Sequence, residues 1–337
     1  MSNIPDSVPT GAIRYNTDSN KMECFDGTKW WEVAVSSPDL NGGARGVFGG
    51  SYTYGVSPAT YVKSNIIDYI TISTAGNAID FGDLTQVRGT GGAGASRTRG
   101  LFCGGDINPD GNKTSNVVDY VTISSTGNAT DYGDLTVKGG HGIATMSNQT
   151  RLVCAGRNTQ DPSNYPGNDV DTIDYTAIAT TGNFVDFGNL DQASYALTGA
   201  GNATRGIISQ GDLGPAYENT IRYITIPTLG NSQDFGEASF SSSGSGALSS
   251  GTRCLIGGGV APSNVGNLID YITIATTGNS TRFGELDSSG SRRFPGAVSN
   301  CIRGVWAGGY GNAPTYTVKN KIDYVTIATE GDAVDFG

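Results

Sequence analysis

One motif returns six times along the chain. IDYITISTAGNAIDFGDL, ending at Leu84, recurs as VDYVTISSTGNATDYGDL, ending at Leu135, and then as IDYTAIATTGNFVDFGNL, IRYITIPTLGNSQDFGEA, IDYITIATTGNSTRFGEL and IDYVTIATEGDAVDFG. The anchoring tyrosines are Tyr69, Tyr120, Tyr175, Tyr223, Tyr271 and Tyr324, separated by 51, 55, 48, 48 and 53 residues. A second element precedes each copy: RGVFGG, RGLFCGG, RLVCAG, RGIISQG, RCLIGGG and RGVWAGG. A unit of this length cannot bury an apolar face alone, so a chain of such units must stack them.

Each repeat parses into four strands. The first is rich in glycine and small residues, as in GTGGAGAS at 89–96. A short turn leads to the second, the apolar run ending in a glycine pair. After a loop of variable length comes the third, of the IDYITI type. A tight turn centred on the Gly-Asn pair is expected to lead to the fourth, AIDFGDL, because such turns need positive φ. Four short strands with a period near 50 predict a propeller blade, so the chain is expected to be an all-β, six-bladed β-propeller. Small first strands fit the crowding around a propeller axis. A solenoid would need polar end caps. For closure, the missing first strand of blade one is expected from Val33 to Ser37. The alternative is a C-terminus packed against an incomplete first blade. The expected division is a small β module at 1–37 and a propeller at 38–337.

Composition agrees. Glycine contributes 51 residues without a three-residue period, which excludes collagen. Thr, Ser, Ile, Val and Tyr dominate between the glycines, as strands require. A net charge of −10 gives no electrostatic case for nucleic acid or an anionic membrane. MSNIPDSVPTG carries neither a basic region nor an apolar core, so no signal peptide is expected, and no apolar run is long enough to span a bilayer. Five scattered cysteines (Cys24, Cys103, Cys154, Cys254, Cys301) without CxxC spacing are expected to be free thiols of a protein made in a reducing cytoplasm. Cys103 and Cys154 are both assigned to the small core position before a glycine, equivalent to Gly49, Ser209, Gly257 and Ala307.

The order of an apolar strand ending in glycines, a tyrosine strand and an aromatic strand resembles kelch-like propellers over residues 40–337. It departs in the fourth strand, where Phe81, Tyr132, Phe187, Phe235, Phe283 and Phe336 stand in place of tryptophan. The resemblance implies a fold and no activity. The first 37 residues instead read PTGAIRYNTDSNKMECFDGTKWWEVAV, with Gly11, Ile13, Arg14, Tyr15, Asn16, Thr17, Lys21, Glu23, Asp26, Gly27, Thr28 and Trp30 in order. This resembles a β module of tailed-phage fibre and virion proteins, where it joins fibre segments and often takes part in trimerisation. The resemblance implies attachment or oligomerisation, with Arg14, Tyr15, Trp30 and Trp31 as candidate residues. The other reading is a hairpin whose aromatics pack on blade one. The near-identical repeats also resemble predicted virion proteins of marine and cyanobacterial phages.

Several apparent motifs dissolve on inspection. His141, in GGHGIA, is the only histidine, so His-dependent triads and multi-His metal sites are not expected. It falls in a first strand, where a packed or axis-lining role is expected. GTGGAG at 89–94 precedes no helix, and DFG recurs as a strand element. Asp106, Asn108 and Asp110 in DINPDGN resemble the start of a calcium loop, but Val117 stands where its glutamate belongs. A polar turn is the expectation, with these three as weak metal candidates. No catalytic residue and no cofactor are expected. The repeated aspartates (Asp68, Asp119, Asp174, Asp270, Asp323) and arginines (Arg45, Arg99, Arg205, Arg253, Arg303) are expected to hold blades together. Arg222 and Arg282, which replace aspartates, are expected to be surface charges or local binding determinants.

Function is therefore sought where repeats differ. The loops between second and third strands, 51–65, 106–116, 157–172, 212–220, 259–267 and 310–321, are expected on one face and are rich in Tyr, Asn, Pro, Gly and Ser. That composition suits recognition. Tyr52, Tyr54, Tyr61, Tyr165, Tyr217, Tyr310 and Tyr316 are the candidate contacts; the other reading has them covering loop bases. The expected function is a non-enzymatic phage virion protein, a tail-fibre or receptor-binding component. Its expected partners are other tail or baseplate proteins and a host-surface glycan or protein, with a homotrimer as one possible assembly and the virion, assembled in the host cytoplasm, as its location. A capsid decoration or connector protein is the alternative. A glycan-active enzyme is a third reading, disfavoured by the lack of a distinct carboxylate pair.

Overall fold

The computed structural model describes residues 8–18, 21–33, 44–54, 61–89, 91–107, 113–159, 169–214, 216–260, 266–287, 292–311 and 317–337. It is all-β among these residues, with seven antiparallel sheets of three or four strands. The chain divides into two compact units, Met1–Asp39 and Leu40–Gly337.

The first unit is a three-stranded meander of β1 (Ile13–Asn16), β2 (Lys21–Phe25) and β3 (Trp30–Glu32). The β2–β3 turn is built by Asp26, whose carboxylate accepts the Thr28 and Lys29 N–H groups, both at 2.8 Å, and the Trp31 indole N–H at 2.5 Å. Those bonds hold the Asp26 carboxyl far below its ordinary range, Lys29 contributing most. Gly27 supplies the left-handed φ of +100° in this turn.

The second unit contains six sheets, one per repeat. Repeats two to six have four strands each in sequential antiparallel order. Repeat one has three, Arg45–Tyr54, Tyr61–Thr71 and Ile79–Asp83. Of the segment expected to supply its first strand, Val33 lies outside any strand and 34–37 lie outside the described residues. In each four-stranded sheet the 2–3 connection lies at the end where strand one begins and strand four ends.

Neighbouring sheets are tied by the same set of bonds six times over. The N–H of Gly127 donates to the Phe81 carbonyl (2.8 Å), Gly182 to Tyr132 (2.9 Å), Gly230 to Phe187 (2.9 Å), Gly278 to Phe235 (2.8 Å), Gly331 to Phe283 (3.0 Å) and Gly76 to Phe336 (2.7 Å). The last of these joins repeat six to repeat one. These bonds correct the turn assignment. The tight turn after the third strand lies over Thr71–Thr74, where Thr74 N–H donates to Thr71 O at 3.0 Å. The Gly-Asn pair follows it and docks on the preceding sheet. The fourth-strand glycine of that contact is required by proximity: a Cβ on Gly188 would lie 2.5 Å from the Gly230 carbonyl oxygen, and one on Gly82 2.5 Å from that of Gly127.

The repeated arginine is the second tie. Each stacks over the tyrosine of its own sheet, from Arg99 over Tyr120 at 4.3 Å to Arg151 over Tyr175 at 4.8 Å, and that tyrosine packs edge-on against the fourth-strand aromatic. The guanidinium then donates to the next sheet: Arg45 to Ile123 O, Arg99 to Ile178 O, Arg151 to Ile226 O, Arg205 to Ile274 O, Arg253 to Ile327 O and Arg303 to Ile72 O. The arginines hold sheets together, as their repetition implies.

The core between sheets is matched by volume. The residue two before the left-handed position of each repeat (Gly50, Gly104, Gly156, Gln210, Gly258 and Gly308) is large where its partner on the preceding sheet is small. Phe102 packs against Gly49, and Trp306 against Gly257. Ile208 shares a core with Ala155, and Phe48 with Ala307. Register places Cys154 opposite Asp174 and Phe102 opposite Asp119. Cys154 is therefore equivalent to Phe102 and not to Cys103, which corrects the sequence assignment by one residue. It follows that Cys154 faces Cys103 across the interface, in one core cluster, where burial pushes its thiol pKa up.

The aspartates form the last layer. Asp119 accepts Thr85 N–H and hydroxyl, Asp174 accepts those of Thr136, and Asp270 those of Ser239. Buried guanidinium groups join them: Arg88–Asp119 at 2.9 Å, Arg157–Asp174 at 2.9 Å and Arg292–Asp323. Arg222 is not a surface charge. It is 2 % exposed, paired with Asp191 and with Glu218 at 2.9 Å. Between repeats three and four the charges are inverted, Arg222 standing in the aspartate position and Asp191 in the threonine position. Arg282 is exposed and pairs with Glu285.

Candidate functional site

Two regions carry residues that this repeated scaffold does not use. The first lies where strand-one approaches of successive repeats meet. His141, Ala196, Gly244 and Phe294 occupy one repeat position, all with φ between +51° and +66°. Ala196 N–H donates to His141 O (2.8 Å), Gly244 to Ala196 (2.9 Å) and Phe294 to Gly244 (2.7 Å), a backbone girdle across repeats three to six. The Phe294 ring reaches Gly142 of repeat three and Gly244 of repeat five, with a Cε1 atom 3.0 Å from where either Cβ would stand.

Just outside this girdle lies a second equivalent position, reached by register and by isolated bridges: Tyr52, Asp106, Asn158, Asp212, Val260 and Tyr310. Its side chains form a polar network from several sheets. Tyr52 donates to Asp106 Oδ2 at 2.5 Å, and His141 Nε2 lies 3.5 Å from the same oxygen. The His141 ring meets Tyr195 edge-on at 6.3 Å. The Tyr195 hydroxyl bonds to Asp212, and burial, with Asp212 adding to it, raises its pKa well above the ordinary phenol value. Asn158 donates to Asp169 Oδ1 at 2.6 Å. Lys63 lies over Tyr52 at 5.2 Å, and Arg293 over Phe294 at 5.1 Å. Acceptors, donors and aromatic faces from five repeats thus converge, an arrangement suited to binding a polar ligand.

Burial disfavours the protonated form of His141. Burial holds its pKa below the ordinary 6.5, Lys63 and Arg293 lower it further, and Asp106 opposes them. The unfolded chain takes up this proton at higher pH than the folded one, so stability falls as pH drops through the unfolded value toward the folded one. We expect the urea midpoint to fall between about pH 7.5 and about pH 5.5. His141→Asn, tolerated at positive φ, should lose less over that window; equal losses would exclude His141 as the cause.

Of the loop tyrosines, Tyr52 and Tyr310 belong to this network, Tyr310 packing on Phe294 at 6.1 Å. Tyr217 sits opposite Asp212. Tyr54 and Tyr61 are register partners at the end of their hairpin. Tyr165 and Tyr316 lie outside the described residues, as do Asn108 and Asp110 of the calcium candidate. Asp106 is buried and bonded as above. No group of three or more His, Cys, Asp or Glu suited to a metal occurs among the described residues. Sequence reasoning missed Lys63, Asn158, Asp169, Tyr195, Asp212 and Arg293. The available signal was the residue just past the glycine pair, which varies while its neighbours repeat.

The second region is the small N-terminal sheet, whose faces differ. Arg14, Glu23 and Trp30 share one face: Arg14 bonds Glu23 at 2.7 Å and stacks over Trp30 at 4.1 Å. Register puts Ile13 opposite Cys24, Tyr15 opposite Met22 and Cys24 opposite Trp31. That other face is apolar and open, with Ile13 64 % and Trp31 54 % exposed. The four candidate residues therefore separate, Arg14 and Trp30 into internal packing, Tyr15 and Trp31 onto the open face.

No protein-family model matches the chain, and no curated protein matches it.

Proposed function

We propose that the six repeat sheets form a closed, kelch-like six-bladed propeller, and that the chain is a non-enzymatic structural protein of a tailed-phage virion, a tail-fibre or receptor-binding component. The closed ring is supported by the Gly76–Phe336 and Arg303–Ile72 bonds, which repeat between the sixth and first sheets the links made by every other pair. The observation that carries the functional reading is a contrast. The invariant positions are consumed in sheet-to-sheet bonds, while the converging positions around His141 are unlike from repeat to repeat and combine tyrosine, carboxylate, amide and guanidinium. A host-surface glycan or protein is the ligand this chemistry suits. The open face of Ile13, Tyr15, Met22 and Trp31 suits attachment to virion proteins or self-association.

The test is binding of the purified chain to cells of the propagating host, with Arg293→Ala and Tyr310→Ala. Each is expected to weaken binding about tenfold or more, as central interface residues do. Wild-type protein that does not bind, together with a capsid location by microscopy, would instead favour the decoration role. Light scattering should show a larger assembly for the full chain than for one lacking residues 1–37; monomers in both cases would remove the oligomerisation role.

A further inference from the structure

Almost every arginine of the repeat array is spent on the scaffold. Six donate to carbonyls of the next sheet. Four are buried against carboxylates, and Arg282 pairs with Glu285. The exceptions among the described residues are Arg97, which is exposed, and Arg293, which is half-buried beside His141 and Tyr195. The Nε of Arg293 is shielded from solvent without a hydrogen-bond partner, and its guanidinium makes no ion pair among the described residues. It lies 5.1 Å over the Phe294 ring, which packs on Tyr310 at 6.1 Å.

Nothing in the repeat calls for a cation at this position. Gly89, Gly140, Tyr195 and Ser243 occupy the equivalent places. The residues that pair with Gly89 and Tyr195 are Asp106 and Asp212, so the scaffold admits a carboxylate opposite. Opposite Arg293 it carries Tyr310. The carboxylates elsewhere in the network are engaged by neutral donors, Asp106 by Tyr52, Asp212 by Tyr195 and Asp169 by Asn158. Asp106 and Asp212 are also buried. Lys63 is 8 % exposed and lies over Tyr52. Arg293 is therefore the part-exposed cation of the network, and its charge is not neutralised by a contact.

We infer that Arg293 is an anion anchor, and that the ligand of this network is a saccharide bearing a carboxylate or a phosphate. The inference rests on the receptor-binding reading above and narrows its ligand. A planar guanidinium meets either anion with two parallel N–H···O bonds. Phe294 and Tyr310 stand beside it and offer aromatic faces to the apolar side of a sugar ring. Pairing with the ligand breaks no internal ion pair, so the charge-assisted bonds are gained without leaving a protein carboxylate unpaired.

The probe is a panel of immobilised tetrasaccharides, each made in a neutral hexose, a hexuronate and a hexose-phosphate form, titrated with the 337-residue chain. The acidic forms are expected to bind about tenfold or more tighter than the neutral one, and the ratio of hexuronate to phosphate binding identifies the source of the anion. Arg293→Gln is expected to bring acidic and neutral forms within about twofold of each other, and Arg293→Lys, which keeps the charge and loses the fork, to fall between. Both variants are expected to keep Tm within about 2 °C of wild type, since the guanidinium has no protein hydrogen bond to lose. No binding to any acidic form, equal binding to neutral and acidic forms, or an acid preference that survives Arg293→Gln overturns the inference. Cells of the propagating host separate it from the reading on which it rests. Wild type and Arg293→Gln that bind those cells alike overturn the anion anchor alone. Wild type that binds the acidic forms but not the cells overturns the receptor-binding reading alone.

Discussion

Trp306→Ala is expected to lower stability by about 3–5 kcal/mol. Trp306 is fully buried, and it spans the interface between the fifth and sixth repeats. Its ring lies 3.0 Å from where a Cβ on Gly257 would stand, and its indole N–H donates to Gly246 O at 3.0 Å. Truncation removes the transfer energy of the ring, leaves a cavity that rigid sheet backbones cannot close, and orphans the Gly246 carbonyl. Gly257→Ala alone should also destabilise, because its methyl meets the indole. Combined with Trp306→Leu, it should cost less than the sum of the two single changes. Urea-denaturation midpoints of the four proteins give this cycle directly. Additive losses would show that Gly257 is not small on account of Trp306.

Asp119→Ala is expected to cost about as much, 3–5 kcal/mol, through a different mechanism. Arg88 is buried with it, and donates to Asp119 at 2.9 Å, Phe102 O at 3.0 Å and Val117 O at 3.1 Å. Burial lowers the pKa of this guanidinium, with Asp119 opposing the shift. Removing the carboxylate leaves a desolvated cation and also strands the Thr85 N–H and hydroxyl. Removing both charges together, as in Arg88→Met with Asp119→Ala, should recover most of the loss, because the desolvation cost of the pair disappears with its attraction. A double variant as unstable as Asp119→Ala would mean that the Thr85 bonds, and not the ion pair, carry the effect.

Much of the scaffold was legible because the chain states it six times. Periods near 50 residues located the units, alternation within IDYITI located third strands, and repetition itself marked the arginines as structural. Positions that break the repeat were legible only as exceptions. Arg222 read as a surface charge because nothing local shows that Asp191, 31 residues away, accepts its Nε–H. Arg157 reaches Asp174 from a second strand, where Arg88 reaches Asp119 from a connection. The exchange is possible because Gly139, at the Arg88 position, leaves room for the Arg157 side chain. Cys154 was misplaced by one residue because RLVCAG lacks the usual glycine pair, and in a strand a shift of one reverses the face.

By itself, the sequence determined an all-β chain of six like units behind a distinct N-terminal segment, since strand alternation and turn chemistry are local properties. Only the tertiary structure decided which unlike residues meet. Tyr52, Asp106, His141 and Arg293 lie in separate repeats, with Tyr195 and Asp212 together in a fifth, and their contacts depend on how twisted sheets stack. Periodicity fixes the interval between equivalent residues, but only the sheet-to-sheet bonds bring the first and last repeats together.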